Sequence, residues 1–230
     1  LATSKPSKED FDKVLDVPYY SQLTEVEVAG LDDEWKSRSA GLLCLKMVMD
    51  YWHFKSKSEV PGLVSLLHVA REQKAINSKH DWIHAGIVRT AEHFEFLAWR
   101  RKWSLSKDEE AFFKKEGLER GGLSLLEKQT HREGIMTLTN AIVADIPVII
   151  SVPKEFGNTN KSHLVVVTGI RKDAILGKYK GFYINDPYNA GPARRSGAER
   201  KDEFISQERF INHWNRRAIF VIPKGYRSIW

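Results

Sequence analysis

Between Ala40 and Trp52, apolar positions recur at helical spacing, with Leu43, Cys44, Met47, Val48 and Tyr51 on one stripe. A period near 3.6 residues predicts a helix, and Ser39, directly before Ala40, is its candidate N-cap. The same pattern predicts helices over about Gly62–Gln73, Ile83–Phe94 and Met136–Ala144. Apolar runs of strand length fall at about Phe96–Trp103, Pro147–Val152, His163–Gly169, Lys180–Asp186 and Ala218–Ile222. Upstream, Val14–Ser21 reads as extended, because Pro18 fixes its own φ and pushes its neighbour out of the helical region. Helices precede most of the strands, which is the order of an α+β domain.

Residues 1–13 read as a polar arm and 14–230 as one domain. The charged stretch 104–133, with Gly117, Gly121 and Gly122, reads as an insertion or lid. No internal repeat is present. With 230 residues, 42% of them hydrophobic, the chain has ample material for a core. The polar residues 1–12 do not have the layout of a secretory signal, and no apolar run reaches the length of a membrane span, so a soluble protein is expected. The first residue is not Met, which leaves a removed leader or anchor open; the bacterial cytoplasm is slightly favoured over export. Basic residues exceed acidic ones by 36 to 30, for a net +6, with the surplus concentrated between Arg194 and Arg227. That distribution points towards an acidic peptide or an anionic surface as a partner class, and no nucleic-acid motif accompanies it.

Several residues stand out for their chemistry. Cys44 is the single cysteine, so no internal disulfide forms, and its place on the apolar stripe marks it as a core residue rather than a nucleophile. His163 opens one apolar run and Asp186 closes another. If the two runs form a hairpin with Gly169 opposite Lys180, then His163 lies opposite Asp186 on the same face. A carboxylate there would fix the tautomer of an imidazole base, and Asn185 is an alternative orienting group. His80 and His84, four apart, have the spacing of metal ligands, but no third ligand is evident and Asp81 reads as a helix cap, so no metal is expected. Trp35 and Trp214 read as core or cleft-wall aromatics, and a loop origin explains Arg120-Gly121-Gly122.

Four segments, in order, resemble the C39-like family of papain-like cysteine peptidases, found in bacteria. They are Asp16-Val-Pro-Tyr-Tyr-Ser-Gln22, Ser37-Arg-Ser-Ala40-Gly41-Leu-Leu-Cys44, Ser162-His163-Leu-Val-Val-Val-Thr-Gly169 and Tyr183-Ile-Asn-Asp186-Pro187. The resemblance implies a nucleophile helix packed on a small antiparallel sheet. It implies a cysteine at the position that Ala40 occupies, where the helix dipole and free N–H groups would lower a thiol's pKa. It further implies His163 as base, Asp186 as its orienting group and Gln22 as the oxyanion donor. Gly41, Trp82 and His84 would line the substrate cleft. A peptide or protein substrate is implied, and no cofactor. With alanine at position 40 the chain is expected to be inactive, either as an engineered replacement of cysteine or as a natural pseudoenzyme that binds a peptide or partner.

Overall fold

The computed structural model describes residues 10–56, 60–79, 81–117, 122–157, 161–173, 177–188 and 201–226. The chain starts with strand β1 (Asp10–Val14), helix α1 (Gln22–Val28), a short 3₁₀ turn (Asp33–Ser37) and the long helix α2 (Ala40–Ser56). Two helices, α3 (Leu63–Glu72) and α4 (His84–His93), lead into β2 (Phe96–Lys102). Helices α5 (Lys107–Lys115) and α6 (Gly122–Val143) follow, then β3 (Val148–Pro153), β4 (Ser162–Asp173), β5 (Tyr179–Asn185), β6 (Glu203–Ser206), α7 (Gln207–His213) and β7 (Arg217–Pro223). The strands form one antiparallel sheet ordered β2-β7-β3-β4-β5-β6, with β1 added along β4.

Helix α2 lies in the middle of the molecule. Leu42, Leu43, Cys44, Leu45, Met47, Val48 and Met49 are all buried, so this helix is apolar nearly all round rather than on a single stripe. Such a helix is covered on several sides: the sheet packs against it through β4, β7 and β3, and α3 and α4 cover it elsewhere. Trp52 anchors its far end, donating from Nε1 to the Val221 carbonyl of β7 at 2.8 Å.

Several elements differ from the sequence expectation for physical reasons. The strand starts at Asp10, inside the expected polar arm, because Arg171 of β4 holds Asp12 with two hydrogen bonds, at 2.9 and 3.1 Å. Gln22, directly after the expected extended segment, opens the unexpected helix α1, and the Ser21 hydroxyl caps it. The expected helix Met136–Ala144 is the C-terminal part of α6, where Leu138, Ala141 and Ile142 pack inward. Earlier in α6 the residues from Ser124 are largely exposed, so burial leaves little apolar period to read. Helix α5 carries a capping box, with Ser106 and Glu109 bonding each other's backbone N–H. The 104–133 stretch is therefore largely helical among its described residues.

The hairpin register also differs. Strand β4 does not stop at Gly169 but runs to Asp173, and Gly169 faces Tyr183 instead of Lys180. A bulge between Val167 and Gly169 absorbs one residue, and beyond it Val166 faces Asn185. His163 is itself paired with Val152 of β3.

Candidate active site

Residues of α2, α4, β2, β4 and β7 line one cleft of about 1170 Å³, whose walls include Ala40, Trp82, His84, His163 and Tyr188. Ala40 is the first residue of α2 and is nearly covered. His163 comes from the start of β4 and Asp186 from the residue after β5. Their side chains meet despite the register difference: His163 Nε2 lies 2.7 Å from Asp186 Oδ1, with only 7% and 1% of the two side chains exposed. The offset from the expected pairing is two residues at this end of the hairpin. An even shift keeps both side chains on one face.

The Asp186 carboxylate is held in place. Its Oδ1 also accepts from the Tyr188 backbone N–H at 2.9 Å. The Tyr19 hydroxyl donates to the Asp186 carbonyl at 3.1 Å, and the Gln22 backbone N–H donates to the Pro187 carbonyl at 2.8 Å. The segment Tyr19–Gln22 thus straps the Asp186–Pro187 turn to the start of α1. Asn185 does not orient His163. Its Oδ1 accepts from Asp202 N–H at 2.8 Å and its Nδ2 donates to the Val17 carbonyl at 3.3 Å, on the other face of β5.

Gln22 is buried, and its amide reaches the start of α2. With Oε1 turned inward it accepts from the Ser39 N–H at 3.2 Å and the Ala40 N–H at 3.3 Å. The first N–H groups of a helix have no intrahelical acceptor; here a glutamine from another helix serves that of Ala40, while the Ser39 N–H also donates to the Trp35 carbonyl at 3.0 Å. The Ser39 hydroxyl, the expected cap, is buried and makes no hydrogen bond.

Of the expected cleft residues, Trp82 and His84 line the cavity and Gly41 does not. The close approach at Gly41 is made by the Trp82 indole: a Cβ built on Gly41 would overlap ring atoms Cδ2, Cγ and Cε3. Trp82 Nε1 donates to the Arg38 carbonyl at 2.6 Å, locking the indole over the entry to α2. His84 is the first residue of α4, and Asp81 does not cap that helix but bonds with Asn77. Burial, with Arg217 and Arg100 adding repulsion, pulls the His84 pKa down to about 4. Two neighbouring cations make a poor setting for a metal ion, and among the described residues no cluster of three His, Cys, Asp or Glu gathers. His80, Arg120 and Gly121 lie outside the described residues.

Cys44 is completely buried. Burial first, and then the Asp186 charge, raise its pKa well above that of an ordinary thiol. Tyr188 is a site residue that the sequence reading passed over. Its ring and that of His163 stand edge to face with centroids 6.0 Å apart, and Lys154 Nζ sits over the Tyr188 ring, 3.7 Å from its centre. It follows Asp186-Pro187 directly, the one local cue in the sequence.

The model of the Peptidase_C39 like family matches residues 14–218, which spans Gln22, Ala40, His163 and Asp186. The chain belongs to the Peptidase C39 like family. Among solved structures it is similar to the peptidase domain of Streptococcus ComA, a bi-functional ABC transporter involved in a quorum-sensing pathway. That likeness has 20% identity and a TM-score of 0.47, over 81% of this chain and 93% of the other. A double glycine motif protease from an AMS/PCAT transporter, solved in complex with its leader peptide, is 17% identical with a TM-score of 0.46, over 92% and 94% of the two chains. UfSP from C. elegans is 13% identical with a TM-score of 0.52; the match covers 98% of this chain and 36% of that one. No curated protein sequence matches the chain. The C39-like chain has the α+β, papain-like fold: a central helix packed on an antiparallel sheet, with the cleft at the helix start.

Proposed function

We propose that the chain is a cysteine peptidase acting on peptide or isopeptide bonds, held inactive by alanine at the nucleophile position. The observation that carries this reading is the buried His163–Asp186 hydrogen bond opening into the same cleft as Ala40. Bonding Nε2 to a carboxylate keeps the proton on that nitrogen, so Nδ1 is the basic one. With cysteine at position 40, His163 would take the thiol proton. The thiolate would form an S–C bond to the carbonyl carbon; the C–N bond would then break as His163 returns the proton to the leaving amine. Water would complete hydrolysis, regenerating the thiol.

Gln22 supports this reading in a specific way. Turning its amide about the last side-chain bond would bring Nε2 beside the Ala40 N–H, and the two donors would then share one acceptor. That is the arrangement an oxyanion requires, and the Oε1 contact in the free protein holds the position until substrate arrives. Alanine offers no electron pair, so retention of Gln22, His163 and Asp186 around it favours a replaced cysteine over an inherited binding site. The second reading, a natural peptide-binding pseudoenzyme, rests on Ala40 itself.

The deciding experiment is intact mass after exposure to a peptide vinyl sulfone, for the parent protein, Ala40→Cys and Ala40→Cys/His163→Ala. One adduct is expected on Ala40→Cys, none on the parent, and at least tenfold slower labelling of the double variant. A folded Ala40→Cys protein that stays unlabelled, or is labelled only at Cys44, would overturn the assignment and favour the pseudoenzyme.

A further inference from the structure

The cleft walls are charged in one sense. Apart from its histidines, every ionisable side chain lining the cavity is basic except for Asp81 and Tyr188, although the chain as a whole carries only +6. The bias is densest where β2 meets β7. Arg100, Arg101 and Lys102 end β2, and Arg217 begins β7. Lys102 and Arg217 are direct partners in the antiparallel pair, and no carboxylate among the described residues forms an ion pair with Arg100, Lys102 or Arg217. Like charges placed directly opposite each other weaken a strand pair. An arrangement that costs stability in the free protein is relieved when an anion binds between them.

This strip reaches the reaction point. His84 feels Arg217 and Arg100 from the start of α4, and shares the cavity with Ala40 and His163. Lys154, over the Tyr188 ring beside His163, and Lys161, two residues before His163 in the sequence, line the same cavity. A chain laid through the cavity past position 40 therefore meets cations from β2, β7 and the residues around His163. From this we infer that the cleft selects an acidic peptide segment, whose Asp or Glu side chains fall on the Arg100, Lys102 and Arg217 strip. The inference rests on the peptidase reading for which class of polymer enters the cleft. It is separate from the basic residues 194–200, which lie outside the described part of the chain.

The test uses the Ala40 protein as it stands, with fluorescence anisotropy on a twelve-residue peptide library in two matched sets: one rich in Glu and Asp, one with Gln and Asn at the same positions. The acidic set is expected to bind at least tenfold more tightly at low salt, with the advantage shrinking as ionic strength rises. Arg100→Gln/Lys102→Gln/Arg217→Gln should abolish the preference. Lys55→Gln/Lys128→Gln/Lys224→Gln, which removes the same charge away from the cleft, should retain it. Lys102→Gln alone should melt no lower than the parent, since it removes a repulsion, so loss of binding in that variant is not loss of fold. Equal binding of both sets, or a preference that survives the cleft triple variant, would overturn the inference. So would a single-stranded oligonucleotide that displaces the acidic peptide at lower concentration, which would make the strip a nucleic-acid site. Vinyl sulfone labelling of Ala40→Cys reports on the peptidase reading independently: labelling without acidic preference sinks only this inference, and acidic preference without labelling sinks only that reading.

Discussion

At position 41 there is no side chain, and the space it would fill belongs to Trp82. The indole packs close against Gly41 and is tied to the Arg38 carbonyl, so the entry to α2 is shaped by a residue distant in sequence. Gly41→Ala would force either the ring or the helix start to move, an overpacking of about 1–3 kcal/mol. The expected result is a lower urea midpoint at unchanged m-value, together with slower labelling of an Ala40→Cys background, because the ring and position 40 share the cleft. An unchanged midpoint would show that the indole can swing away freely. His84 makes a different prediction. Its folded pKa, about 4, is below the ordinary histidine value near 6.5, so the unfolded chain takes up its proton first as pH falls. The associated stability is complete above about pH 6.5 and is lost progressively as pH drops towards 4. Thermal melts from pH 7.5 to 4 should therefore fall less steeply for His84→Gln than for the parent. His131 is shifted in the same direction, by burial and then Arg216, so the parent slope will not vanish altogether in the single variant.

At the scale of elements, the sequence revealed α2 and the placing of His163 and Asp186 on one face, but for reasons of unequal strength. Helix α2 was legible because a long apolar run has few other destinations. The hairpin register was not, because Arg171, Lys172 and Asp173 look like a polar loop. Arg171 is buried nonetheless, since Asp12 and the Tyr183 hydroxyl neutralise and satisfy it, and no periodicity encodes a partner 159 residues away. The His163–Asp186 contact survived the misplaced register because the error at that end was even. Gln22 became a candidate only through the family resemblance: as the first residue of a seven-residue helix it has no distinguishing local pattern. Tyr188 and the cationic ends of β2 and β7 were hidden for a related reason, since each matters only once the strands are side by side. The capping box Ser106-Lys-Asp-Glu109, by contrast, is a spacing signal that the reading of 104–133 as an insertion or lid missed, and it opens α5.

The whole molecule divides its work along β4. The first half of this twelve-residue strand pairs with β3 and carries His163; the second half pairs with β1 and carries Arg171. At the second end, Asp12 accepts two hydrogen bonds from Arg171 and one from the Tyr183 hydroxyl at 2.6 Å, joining β1, β4 and β5. Burial alone would raise the Asp12 pKa, but the bonds from Arg171 and Tyr183 outweigh it and hold the carboxyl below its usual value. Removing this carboxylate takes the two Asp12 hydrogen bonds and its charge from a side chain in a residue only 6% exposed, a loss of about 2 kcal/mol once the partial exposure of Asp12 is allowed for. Asp12→Ala should accordingly unfold at lower urea than the parent. The deficit should narrow as pH falls below about 4, because protonation of Asp12 in the parent weakens the same pair. Yet the far end of β4 is held by β3, and the Asp186–Pro187 turn that meets His163 is held by the Tyr19–Gln22 strap, so each keeps its own supports. In an Ala40→Cys background, Asp12→Ala should then leave the His163-dependent rate of vinyl sulfone labelling within about twofold, measured well below the unfolding transition. A large fall in that rate at full folding would mean that the two ends of β4 are coupled, and that the N-terminal strand helps set the position of the base.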